Sequence, residues 1–266
     1  MADWVHAIEH GWVIVDNPPG PDVDEFADAE QVSTALSTAA DSGLLAVQHP
    51  HRTPAAIAAG LTLRQAIPRA VSTLDSIKAA HYRPATDVVA IYRVSGFDGT
   101  AIGLLGMVDP DVAGGDGLRS SEDVYPAVVA ERAEVLAGLR CATSAAMLVP
   151  TDDGGRLTDE LSVARQRLGA PDVSTVDAFG RRHELWLVFA GELRDRLLAV
   201  AGAADLLVAD GNHRVAATRA AGASGLYALI TAGPRLRVGS IHRVLVGTGL
   251  TVDDLESAWH AVGLAV

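Results

Sequence analysis

The chain has 266 residues, a hydrophobic fraction of 49% and a formal charge of -12 at pH 7. That is enough apolar material for a packed core and excludes wholesale disorder, while the negative charge repels nucleic acid unless a local basic patch overrides it. Cys141 is the only cysteine and Lys78 the only lysine, which excludes an internal disulfide, a multi-cysteine metal site and a G-x-x-x-x-G-K phosphate loop.

The length allows one large domain or two modest ones. No apolar run reaches the roughly 18 to 20 residues of a membrane span. The start, Met1-Ala2-Asp3-Trp4-Val5-His6, lacks the basic and then apolar segments of a secretory signal. A soluble, cytoplasmic protein without membrane partners is expected.

In chain order, residues 28–41 and 62–80 have helical spacing, and Pro68 is expected to kink or split the second helix. Residues 88–94 read as a strand, 95–99 as a turn and 100–108 as the returning strand of a hairpin. Glycines and aspartates crowd 109–121, as in a loop. Val128, Val129, Ala133, Leu136 and Leu139 give 124–140 a helical apolar face. A short strand at 145–149 and a loop at 152–155 follow. A second hairpin, 173–176 with 183–188, turns around Phe179-Gly180, and 191–200 is helical. The apolar run 204–209 ends in Asp210-Gly211, a helix covers 212–221 with Gly222 placed to cap it, and 226–231 is a strand. Hairpins mixed with helices indicate an α+β fold, a mixed sheet with flanking helices rather than a doubly wound one. Two regions are expected, 1–119 and 120–266, or a single compact unit.

The stretch Ala209-Asp210-Gly211-Asn212-His213-Arg214 carries the chemistry. An apolar strand runs into Asp-Gly, which permits a tight turn, and a helix begins at once with Asp210 or Asn212 as its N-cap. The first amides of a helix lack intrahelical partners, and the dipole there favours an anion. Arg214 can grip two phosphate oxygens, and His213 stands beside it. Asp210 adds a carboxylate that could hold Mg²⁺ or accept a proton. The plainer reading of the same residues is ordinary helix capping.

Several pieces resemble the domain-of-unknown-function 1015 family. The 209–214 stretch is similar to its A-D-G-H-H-R signature, and Asn17-Pro18-Pro19-Gly20-Pro21-Asp22-Val23 to its P-P-Y-D-V. Ile91-Tyr92-Arg93 resembles Y-x-Y-R, and Gly103 to Val108 the G-L-x-G-x-V that follows it. Ser121-Glu122-Asp123 with Glu131-Arg132 sits where that family has H-E-x-T and D-R. His183-Glu184-Leu185-Trp186 resembles H-x-L-W, and Ile241-His242-Arg243-Val244 resembles P-Y-H-R-V. Asn212 and Ser121 stand where the family has histidines. The D-G-x-H-R box also resembles that of the ParB/sulfiredoxin-like superfamily, which includes free-serine kinases using ADP or ATP.

That resemblance implies a ParB/sulfiredoxin-like ligand half and a nucleotide- and Mg-dependent phosphotransferase acting on a small hydroxylated metabolite such as free serine. Asp210, His213 and Glu122 are the expected catalytic groups. Gly211, Asn212, Arg214, His242 and Arg243 are expected to bind the nucleotide, ATP or ADP, and Glu122 and Asp210 the metal. The rival is a nucleotide-binding regulator without catalysis, which the Asn212 and Ser121 departures favour. Elsewhere the plainer readings prevail: His49-Pro50-His51-Arg52 as a loop, Arg132 as an ion-pair residue, His183 as cross-strand packing and Cys141 as a buried helix residue.

Overall fold

A computed structural model of the chain describes residues 4–16, 29–38, 43–97, 99–112, 117–152, 154–231, 249–261 and 263. It divides the chain into one unit, Met1–Leu236, and a second, Arg237–Val266. In the second unit the helix Val252–Ala261 is capped by Thr251, which accepts the Asp254 amide and donates to its carboxylate.

The first unit is built on a mixed, open sheet with flanking helices. Its described strands are β1 (Val5–His6), β2 (Ile8–Ile14), β3 (Tyr82–Gly96), β4 (Gly99–Val108), β5 (Leu118–Arg119), β6 (Ala146–Pro150), β7 (Val173–Val176), β8 (Arg182–Phe189), β9 (Leu206–Asp210) and β10 (Leu226–Thr231). The order is β5-β9-β6-β10-β4-β3-β8-β7, with β1 on β4 and β2 on β3. β10 is parallel to β6 and β5 to β9, and the other pairs are antiparallel. The β4–β10 and β3–β8 pairings run through the 119/120 position, so both parts of the chain share one sheet.

Both expected hairpins are present: Gly96 pairs with Gly99, and Val176 with Arg182. β3 is longer than its apolar run because its first half pairs with β2 and its second half with β4 and β8.

The described helices of this unit are α1 (Ala29–Thr38), α2 (Leu44–Gln48), α3 (Pro54–Ala58), α4 (Leu63–His81), α5 (Pro126–Leu139), α6 (Gly154–Leu168), α7 (Glu192–Ala201) and α8 (Asn212–Ala220). α4 is not split: it runs through Pro68 and starts from a complete capping box between Thr62 and Gln65. α6 occupies a region where only a loop, at 152–155, is expected from the sequence. Leu157, Leu161 and Ala164 lie at helical spacing on its buried face.

The main core joins α6 and α7 to alternate residues of the central strands, including Ile91, Leu104, Trp186, Leu148 and Ile230. Burying each of these large side chains contributes about 1.5–3 kcal/mol. A second cluster packs α4 on α5 through Leu74, Ile77, Val135 and Leu139. Among the described residues no helix is long and apolar enough to cross a membrane.

Candidate functional site

β9 ends at Asp210, and the next residue carries the turn. Gly211 has φ +96°, a left-handed conformation that L side chains rarely adopt, and a Cβ there would sit 3.1 Å from the Ala146 Cα. Only glycine lets the chain pass this close to the start of β6. Gly211, not Asp210 or Asn212, is therefore the N-cap of α8, and it makes no side-chain capping bond. The first bond closing the helix is Val215 N–H to Gly211 O, so α8 itself supplies no partner for the amides of residues 212–214. At the far end Gly222, at φ +64°, follows the C-cap Ala221, as its sequence position suggested.

The N-terminus of α5 meets this turn. Tyr125 is its N-cap and Pro126 its first residue. The Tyr125 amide donates to His213 Nε2 at 3.0 Å, and the two rings stack with centroids 5.8 Å apart. An amide only donates, so Nε2 is the acceptor here and Nδ1 is left as the ring's donor. Asn212 is 3% exposed and ties the turn to the segment before α5. Its Nδ2 donates to Ser121 Oγ at 3.0 Å and Glu122 Oε1 at 3.4 Å, and its Oδ1 accepts the Ser121 amide at 3.2 Å.

These elements wall a cavity of about 400 Å³, within the range of small-molecule sites. Asp210, Gly211, Asn212, His213 and Glu122 all line it. Five residues singled out from the sequence thus converge on one space. Two helix N-termini also face it, so both dipoles favour an anion there.

Arg214 is not part of the lining. Its guanidinium donates to Ala145 O at 3.1 Å and Asp210 Oδ2 at 2.8 Å, tying the turn to the residue before β6. Replacing Arg214 by alanine is expected to cost about 1–3 kcal/mol of folding free energy, read as a lower urea midpoint without ligand. An unchanged midpoint would show that this tie does not hold the turn. His242 and Arg243, and the Asn17–Val23 motif, lie outside the described residues.

The structure adds residues that their sequence context did not favour. Pro50–Arg52 is a 3-10 turn held by Thr53, whose hydroxyl donates to Pro50 O and caps α3. It brings His49 and Arg52 to the cavity wall. His49 is 4% exposed, with Nε2 3.4 Å from Arg132 Nη2 and Nδ1 3.9 Å from Glu131 Oε1. Among the described residues the buried Arg52 Nε has no hydrogen-bond partner. Glu131 and Arg132 of α5 also line the space. Residues 125, 128, 131 and 132 share one helix face, a spacing legible in the sequence once Glu122 was placed at the helix start.

Two arginines, two histidines and three carboxylates thus surround one cavity. The arginines and helix ends can hold phosphate oxygens, and the carboxylates can take a proton or a cation. Among the described residues no cluster of three metal-ligating side chains forms by itself.

Close by, burial lowers the His51 pKa from its ordinary 6.5, and Arg52 and Arg132 add to this against the opposing charge of Glu131. The unfolded chain keeps the ordinary value. As the pH falls through 6.5 the unfolded state gains a proton that the folded state resists, and stability drops. His51→Gln is expected to flatten the unfolding free energy between pH 7 and pH 5. An unchanged slope would assign that dependence elsewhere.

A family model described as "Protein of unknown function (DUF1015)" matches residues 65–262. The chain belongs to this family. In this DUF1015 protein the matched span holds Glu122, Glu131, Arg132 and the Asp210–His213 turn, while His49 and Arg52 come from the preceding segment. No curated protein and no solved structure matches the chain.

Proposed function

We propose that the cavity is the phosphoryl-transfer site of a nucleotide- and Mg²⁺-dependent kinase acting on a small hydroxylated metabolite, with free serine as the first candidate. One observation carries the reading: two helix N-termini, two arginines and three carboxylates face the same 400 Å³ space. Phosphoryl transfer needs positioning and charge neutralisation, and these groups supply both.

In this reading the amides of residues 212–214 with Arg52 and Arg132 hold the phosphates of ATP or ADP. Arg214 positions the turn instead of touching the ligand. His213 directs its Nδ1–H toward an oxygen that gains charge. Glu122 and Asp210 fit the magnesium expectation by their donor chemistry, because Mg²⁺ takes one or two carboxylates and completes its shell with phosphates and water. Bound there, the ion would neutralise phosphate charge. Glu131, across the cavity, is free of that duty and takes the proton from the attacking hydroxyl. The D-G-N-H-R turn at a strand-to-helix junction supports a ParB/sulfiredoxin-like ligand half, and a cytoplasmic setting goes with nucleotide and Mg²⁺ as reactants.

A second reading, a nucleotide-binding regulator, draws on Asn212, whose amide is spent on Ser121 and Glu122 where the family signature has a histidine. Incubating the protein with ATP or ADP, Mg²⁺ and a panel of amino acids, with products followed by mass, separates the two. A phosphorylated amino acid supports the kinase. Saturable nucleotide binding without product leaves the regulator, and absence of both removes both readings.

A further inference from the structure

A second, larger cavity of about 880 Å³ lies at the other end of α5 and α8. β2 contributes His10 and Trp12, α4 contributes Lys78, β10 contributes Tyr227 and the C-cap of α5 contributes Arg140. No aspartate or glutamate is among its described lining residues, in a chain whose net charge is -12. The chain's only lysine faces this space. Its ammonium lies 5.0 Å from the centroid of the Trp12 ring, which is 45% exposed.

Neither Lys78 nor Arg140 has a carboxylate partner among the described residues. The Trp12 face leaves the ammonium hydrogens open, and the guanidinium keeps all its donors. With no carboxylate in ion-pair reach among the described residues, both cations can take an arriving anion. A bare ion would leave the apolar part of the wall, with Leu74 and Leu136, in water. The wall therefore suits an anion with a flat apolar body, and its volume fits a small molecule. A planar guanidinium matches a carboxylate in geometry.

We propose that this cavity is a second ligand site, specific for a small aromatic carboxylate held by Lys78 and Arg140 with its ring against the Trp12 side of the wall. The inference is independent of what the first cavity does. The competing explanation is that Lys78 only shields Trp12 from water, in which case charge on a ligand is irrelevant.

Calorimetric titration with naphthalene-1-acetate and its neutral amide, naphthalene-1-acetamide, tests it. The acid is expected to saturate one site and the amide to bind at least about tenfold more weakly. Lys78→Gln should weaken the acid by about tenfold, Lys78→Arg should retain it, and Arg132→Gln in the other cavity should leave it unchanged. Equal affinity for acid and amide overturns the proposal, as does unaltered binding by Lys78→Gln, loss of binding in Arg132→Gln, or no saturation up to about 1 mM.

Discussion

Replacing Arg52 by methionine is expected to lower kcat/KM for phosphoryl transfer by about 100-fold or more while leaving the unliganded melting temperature unchanged or higher. The two halves of this result have one cause. The Arg52 Nε–H is buried at the cavity wall without a partner among the described residues. A buried donor left unsatisfied costs about 1–3 kcal/mol, so the folded protein loses little when it is removed, and methionine keeps the unbranched stem. A donor with no partner among the described residues is available to a phosphate oxygen, and removing one such donor from a charge-stabilising site costs about 10²–10³ in rate. A thermal melt with and without nucleotide and Mg²⁺ reads both halves, because a ligand raises the midpoint only through its preference for the folded state. If Arg52→Met unfolds several degrees earlier and keeps the nucleotide-induced rise, the guanidinium is structural.

The contrast between Arg52 and Arg214 shows what the sequence could and could not carry. Arg214 stands in the motif, and its neighbours Asp210, Gly211, Asn212 and His213 do line the cavity. Yet a helix turns about 100° per residue. The position after His213 therefore points elsewhere, and the Arg214 side chain meets Ala145 and Asp210. Arg52 stands in a short turn without periodicity, 158 positions before Asp210 in the numbering. Nothing local says that α4, packed on α5, carries the preceding segment to the mouth of α8.

The hairpins, the α5 and α8 helices and the end cap at Gly222 were legible because each rests on a local rule. The unsplit α4 and the helix α6 were not. In α4 the capping box and the packing of Ala70, Leu74 and Ile77 prevail over the single hydrogen bond lost at Pro68. In α6 the glycines at its start hid a helix whose apolar face is only three residues wide. Cys141 departs from its expected place for a similar reason. α5 ends at Leu139 with Arg140 left-handed at φ 52°, which puts the cysteine just beyond the helix, where burial raises its thiol pKa.

Asn212→Asp is expected to destabilise the turn strongly, costing about 3 kcal/mol at pH 7. The amide is 3% exposed and donates toward both Ser121 and Glu122. A carboxylate has no hydrogen to give either, and it would stand against Glu122 at the 3.4 Å now spanned by the amide bond. Burial and the like charge together raise the introduced carboxyl's pKa in the folded state above its unfolded value. The folded protein then holds a proton that the unfolded chain has released, so stability returns as the pH falls through that raised value. Wild-type protein lacks this recovery at the turn, because an amide does not titrate. Urea unfolding of both proteins at pH 7.5, 6 and 5 makes the comparison, with the gap between midpoints narrowing on acidification. A variant as stable as wild type at pH 7.5 would mean that the 212 side chain faces solvent, and the cavity built around it would have to be redrawn.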